Sequence, residues 1–136
     1  MSTQNMIKEI NDAIGAHGMW KMRLRTAINT GAGEVHSTAA RCDNKCVFGQ
    51  WLYGTSLDAN TRAGKPYQVI RRLHAEFHNL AGDVLAKVEI GDRPGAEHIF
   101  AGPYAEKSER LVMGLTKWKG ELLRGSALGS SHQLAG

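Results

Sequence analysis

Apolar residues recur three and four positions apart along most of the chain. Ile7, Ile10, Ile14, Leu24 and Ile28 mark one face of a helix that starts near Asn5 or Met6. His17 and Lys21 occupy that stripe where an apolar residue is missing, so His17 is predicted to point inward. Gly31-Ala32-Gly33 ends the helix. A short second helix is expected over Glu34 to Arg41. A third is expected from about Asn44 to Tyr53, with Asp43 as its N-cap and Gly54 at its C-terminal end. The stretch Thr55 to Lys65 is polar, with a turn at Gly64. Pro66 suits the first turn of a long helix, whose stripe is Val69, Ile70, Leu73, Phe77, Leu80, Val84, Leu85 and Val88. Gly91-Asp92-Arg93-Pro94-Gly95 breaks the chain, and a last helix from near Pro103 carries Leu111, Leu115, Trp118 and Leu122.

No segment alternates with period two for long. The expected fold is therefore all-α: three long helices, one medium helix and a small extra turn. An antiparallel four-helix bundle with a short additional helix is the simplest way to bury those stripes. At 136 residues the chain is expected to form one domain over 1–124, followed by a flexible Gly- and Ser-containing tail over 125–136. No apolar run approaches the roughly 20 residues that span a bilayer. The start lacks the order of a signal peptide, so a cytoplasmic setting without membrane insertion is expected. The net charge of +4 is a mild bias. Lys21, Arg23, Arg25, Arg62, Lys65, Arg71 and Arg72 are scattered among acids rather than aligned with aromatics. They read as a solvated surface, with no nucleic-acid partner.

Candidate chemistry changes this picture. His74 and His78 stand at i and i+4, one turn apart on one face of the long helix, where both can reach a single ion. His17 and Cys46 are further candidates from other helices. Three imidazoles and one thiolate make a closed tetrahedral zinc set, suited to holding or sensing an ion. The structural alternative stays open from residue types alone. A histidine on an apolar stripe is often a hydrogen-bonded core residue, and Cys46 can be a small buried hydrophobe. With Asp43 as N-cap, Cys46 becomes the third residue of its helix, where free N–H groups and the helix dipole favour the thiolate. Cys42 and Cys46 are read as reduced thiols rather than a disulfide.

The runs His17-x-x-Trp20, Cys46-x-Phe48-Gly49-x-Trp51-Leu52-Tyr53-Gly54 and His74-x-x-Phe77-His78 resemble the chemoreceptor zinc-binding (CZB) domain family, from about residue 7 to 123. The resemblance implies a helical bundle and a Zn2+ site made by His17, Cys46, His74 and His78. It also implies a cytoplasmic sensory or regulatory module that pairs as a homodimer and acts on chemotaxis or cyclic-di-GMP signalling through a chemoreceptor or diguanylate cyclase. Cys42 matches no ligand position and is taken as a bystander. His36, His98 and His132 lie outside the motifs and are expected at the surface. The family pattern usually accompanies an output domain. This sequence shows no methyl-accepting coiled coil or cyclase segment, so the module is expected to act in trans or as a piece of a longer protein.

Two functional classes follow. In the first, zinc occupancy or oxidation of Cys46 by an oxidant such as hypochlorous acid shifts the helices, and the protein is not an enzyme. In the second, the chain is a zinc- or iron-dependent metalloenzyme or an oxygen-binding bundle. That class needs a vacant coordination position with a nearby carboxylate, or several inward carboxylates. Glu76 is the nearest acid in sequence, and it projects to the opposite side of the helix from His74 and His78.

Overall fold

The computed structural model describes the backbone of residues 2–135 and the side chains of residues 2–125; the expected tail, 125–136, lies outside the described side chains apart from Gly125. No strand occurs among the described residues, and the fold is all-α. Three helices are long: α1 (Thr3–Thr30), α5 (Lys65–Glu89) and α7 (Ala105–Ala135). Short helices α2 (Ser37–Ala40), α3 (Val47–Tyr53) and α4 (Ala59–Ala63) lie between α1 and α5, and α6 (Arg93–Ile99) follows α5.

The helix ends are those that local chemistry dictates. The Ser2 side chain accepts from the Asn5 N–H at the start of α1, and Gly31 closes it in the left-handed conformation at φ 77°. The run Gly91–Gly95, expected only as a break, also starts a helix. Asp92 accepts from the Gly95 N–H at 2.9 Å and Pro94 sits in the first turn, so α6 begins there. The chain then stays helical through a π turn at Phe100–Tyr104 that holds Pro103. Proline lacks an N–H to donate, and the wider turn accommodates the missing bond. The last long helix thus continues from α6 instead of starting afresh near Pro103.

The relative directions of the long helices follow from their contacts. Gly114 of α7 packs on Ile70 and Leu73, while Lys107 bonds Glu76, so α7 runs against α5. Along α1 and α5 the partners advance together. His17 meets His74, Ala27 and Leu85 both flank Gly33, and Ile28 lies beside Val88. These two helices are parallel, which the crossover through residues 31–64 permits. The expected medium helix is reduced to the seven residues of α3.

The core lies between the three long helices. Ile10, Leu24, Ile70, Phe77, Val84, Leu111 and Leu115 are fully buried, and Trp51 of α3 packs against Trp118. Ile7 and Ile14, expected in the α1 stripe, are only partly buried; Met6, Ala13 and Ala27 take the inner positions. The stripe is rotated by one step, and His17 remains at its centre.

Candidate metal centre

His17, His74 and His78 are 2%, 0% and 1% exposed, and they converge at mid-height between α1 and α5. Their nearest ring nitrogens all lie within 4.8 Å of one another. The i, i+4 spacing on α5 brings the Nε2 atoms of His74 and His78 to 3.1 Å. The His17 ring meets them edge-on from α1, with ring centroids 5.1 Å from His74 and 5.9 Å from His78. Cys46 completes the cluster, its Sγ 3.3 Å from His74 Nε2. The structure therefore brings all four sequence-predicted residues to one place.

Two of the rings are fixed by their outer nitrogens. His17 Nδ1 is 2.6 Å from the Ala13 carbonyl, and His78 Nδ1 is 2.9 Å from the Ala40 carbonyl. A carbonyl can only accept, so both Nδ1 atoms carry the proton and both Nε2 atoms turn a lone pair inward. His74 Nδ1 is buried without a partner among the described residues. Burial is also the main reason that the rings resist protonation. It lowers His17 to about 4 against the opposing Ala13 bond. It lowers His74 to about 2, helped by repulsion from His78 and His17, and lowers His78 against the Ala40 bond. Neutral imidazoles with inward lone pairs beside a sulfur form an electron-rich pocket, into which only His74 Nε2 and the Cys46 thiol can place a proton. Such a donor set suits a borderline-soft cation.

Cys46 does not sit where the sequence predicted. It is itself the N-cap of α3, and its sulfur accepts from the Gly49 N–H at 3.3 Å. Asp43 is not the cap; its carboxylate accepts a hydrogen bond from Tyr53. The expected bias toward thiolate is overturned as well. Burial raises the Cys46 thiol above its ordinary value and outweighs the N–H groups of Gly49 and Phe48. Gly49 has a geometric reason to lack a side chain: a methyl group there would run into the Asp43 carbonyl oxygen. The Cys-x-Phe-Gly spacing thus describes a tight turn folded onto the first turn of α3.

The aromatic residues of the motifs wall the cluster. Phe48 packs against His17 and His74, Phe77 against His17, and Trp20 against His78. A cleft of about 440 Å³ between α1 and α3 reaches His17 and Cys46 from the surface, past Met19 and Val47. Cys42 lies apart on the α2 side, its thiol facing the Thr38 carbonyl. His36 and His98 are exposed, and His132 lies outside the described side chains. Glu76 faces α7, where it pairs with Lys107 at 3.3 Å.

Sequence reasoning missed the outer contacts. The Ala40 carbonyl is a backbone group and leaves no mark in residue type. Neither do the contacts that carry α2, the Ser37–Glu89 hydrogen bonds and the Arg41–Asp83 ion pair. Their only signal is Gly82, where a methyl group would strike the Arg41 side chain.

A family model described as "Chemoreceptor zinc-binding domain" matches residues 17–85, just over half of the chain and from the first to beyond the last of the clustered residues. No curated protein and no solved structure matches significantly.

Proposed function

The chain belongs to the chemoreceptor zinc-binding domain family, and from that premise we propose that it is a zinc-responsive regulatory module holding its ion through His17, Cys46, His74 and His78. The observation that supports this most is the convergence of three buried, neutral imidazoles on a cysteine sulfur. Zinc supplies a cross-link among helices that are distant in sequence. His17 contributes from α1, His74 and His78 from α5, and Cys46 from the cap of α3. Ala13 and Ala40 orient two of the rings. Binding requires Cys46 to release its proton, so uptake is coupled to proton loss.

The cleft gives Cys46 a second role within the same reading. The three imidazoles are enclosed, whereas the sulfur is partly exposed. Its thiolate attacks the chlorine of hypochlorous acid and releases hydroxide; water then displaces chloride from the sulfur and leaves a sulfenic acid. The oxidised sulfur is a weaker ligand, and α3 is released from the site. Either signal, zinc or oxidant, changes how the segment between α1 and α5 sits on them. We read that segment as the fourth wall of the bundle, and residues 1–124 as the module.

In this reading the module is cytoplasmic and pairs as a homodimer. Its outputs are chemotaxis or cyclic-di-GMP signalling, through a chemoreceptor or diguanylate cyclase in trans or in a longer parent protein. Support for pairing comes from Met19, Met22 and Val47, exposed large apolar residues around the cleft and the adjoining groove. No helix among the described residues is long and apolar enough to cross a membrane.

The deciding experiment is elemental analysis of the purified protein. The expected result is about one zinc per chain, lost in His74→Ala and in His78→Ala. Undiminished zinc in both variants would overturn the ligand set. Light scattering at micromolar concentration tests the pairing, with a dimer mass expected and a monomer mass overturning it.

A further inference from the structure

The three imidazoles differ in what holds their outer nitrogens. His17 donates to Ala13, four residues earlier on its own helix, so folding of α1 alone supplies that bond. His74 has no outer partner among the described residues. His78 donates to Ala40, which belongs to a separate four-residue helix that could not persist alone. What keeps the Ala40 carbonyl in place is the fastening of α2 to α5.

That fastening is made at both ends of α2. At its start, the Ser37 N–H and hydroxyl both donate to the Glu89 carboxylate, at 2.8 and 2.7 Å. At its end, Arg41 Nη1 pairs with Asp83 at 2.7 Å and donates to the Asn79 carbonyl at 3.1 Å. Between them, Gly82 lets α2 lie directly on α5: a methyl group there would run into Arg41 and come within 3.1 Å of the Ser37 carbonyl oxygen. Ala40 is thereby buried against α5. All the α5 contacts of this arrangement lie within the three turns that follow His78.

We propose that Ser37, Arg41, Asp83 and Glu89 are positioning residues for the metal site: by clamping α2 to α5 they hold the Ala40 carbonyl on His78 Nδ1 and so set the affinity for zinc. The proposal rests on the zinc reading above. With the carbonyl in place, the neutral His78 ring has one tautomer and presents a bare Nε2 to the ion. With α2 detached, the proton can move to Nε2 and the ring can turn, and both oppose binding. Outer partners of this kind change metal affinity by roughly 10- to 100-fold when removed. By reciprocity, ion binding strengthens the seating of α2, which gives the site an outlet on the surface of the bundle.

The test uses the full chain with two measurements. Zinc affinity is read by competition with a chromogenic chelator, and the His78 tautomer is read from its ring ¹⁵N signals in zinc-free protein. Arg41→Ala is expected to weaken binding about 10-fold at unchanged stoichiometry, and to turn the single Nδ1–H form of His78 into a mixture. Arg25→Ala breaks an ion pair of similar length and exposure, with Glu97 and away from α2, and is expected to change neither reading. If Arg41→Ala does not fold, Glu89→Gln loosens the other end of α2 and carries the same expectation. Wild-type affinity and an unchanged tautomer in the clamp variant overturn the proposal, as does an equal loss in Arg25→Ala. A wild-type chain that binds no zinc overturns the reading of the site itself. In that case the His78 tautomer in the clamp variant still decides whether α2 positions the ring.

Discussion

On one side of the site stand helices of 28 and 25 residues; on the other stand helices of 4 and 7. The long pair carries three imidazoles at positions fixed by helix geometry and by burial of whole apolar stripes. Displacing His74 means displacing Ile70, Leu73 and Phe77 with it. The short pair carries the sulfur and the carbonyl that orients His78. Its hold on the rest of the molecule rests on a few identifiable contacts: the clamp of α2, the turn at Gly49, and Phe48, Trp51 and Leu52 in the core. On the proposed reading, the difference teaches where a metal site could become a switch. The wall of nitrogens would set the geometry, and the wall of sulfur and carbonyl, held by fewer contacts, would respond to what occupies it.

The largest effect separates the walls by ligand. Removing an imidazole from the rigid wall, as in His74→Ala, is expected to abolish zinc retention through gel filtration. Cys46→Ser is expected to leave weak, chelator-labile binding, because three nitrogens keep their geometry. Full retention in Cys46→Ser would show that the sulfur is not a ligand.

The second effect concerns the rigid wall without its ion. The ordinary histidine value is 6.5, and in the folded chain His17 and His74 are lowered to about 4 and about 2, with His78 also lowered. The unfolded chain therefore binds more protons than the folded one below pH 6.5, and folding loses stability as pH falls. The three rings lie in contact and titrate as one coupled cluster, so stability is expected to fall steadily as pH drops below about 6.5. Urea denaturation of zinc-free protein at pH 7, 6 and 5 measures it. Equal midpoints at the three values would mean that the imidazoles are not held neutral. Saturating zinc at pH 7 is expected to raise the midpoint, since it binds the folded site preferentially.

A smaller effect probes the lightly held wall alone. Gly49→Ala is expected to cost about 3 kcal/mol or more, at or above the top of the usual overpacking range, because the methyl group meets a backbone carbonyl that cannot swing aside. It should also weaken zinc binding, because the Asp43 turn and the α3 cap must move apart. Thermal denaturation with chelator competition checks both. Loss of stability with unchanged affinity would show that the sulfur does not depend on this turn. Least of all should change in Cys42→Ser, whose thiol faces the Thr38 carbonyl away from the cluster. Its zinc content is expected to equal that of the wild type, and a deficit equal to that of Cys46→Ser would mean that both sulfurs bind.

The two walls were not equally legible in the sequence. Periodicity located the long helices, placed His17 inward and put His74 beside His78, because a helix converts spacing directly into a shared face. The motif around Cys46 marked the sulfur, but not its capping role. Whether Asp43 or Cys46 caps α3 depends on how the preceding turn folds onto Gly49, which is not a property of either residue type. The start of α6 was present as Asp92 and Pro94, and the flanking glycines concealed it.

Residue order and type alone determined the helical class and the place of the long helices, since these follow from a period of 3.6, and the family motifs singled out four candidate ligands. Only the tertiary structure decided that the sulfur meets His74 at 3.3 Å and that burial keeps the Cys46 thiol protonated longer than its helix-end position would suggest. It also decided that Ala40, a residue with no side-chain chemistry, orients His78. These outcomes depend on backbone carbonyls, desolvation and the path of a crossover, all of which arise when distant segments meet.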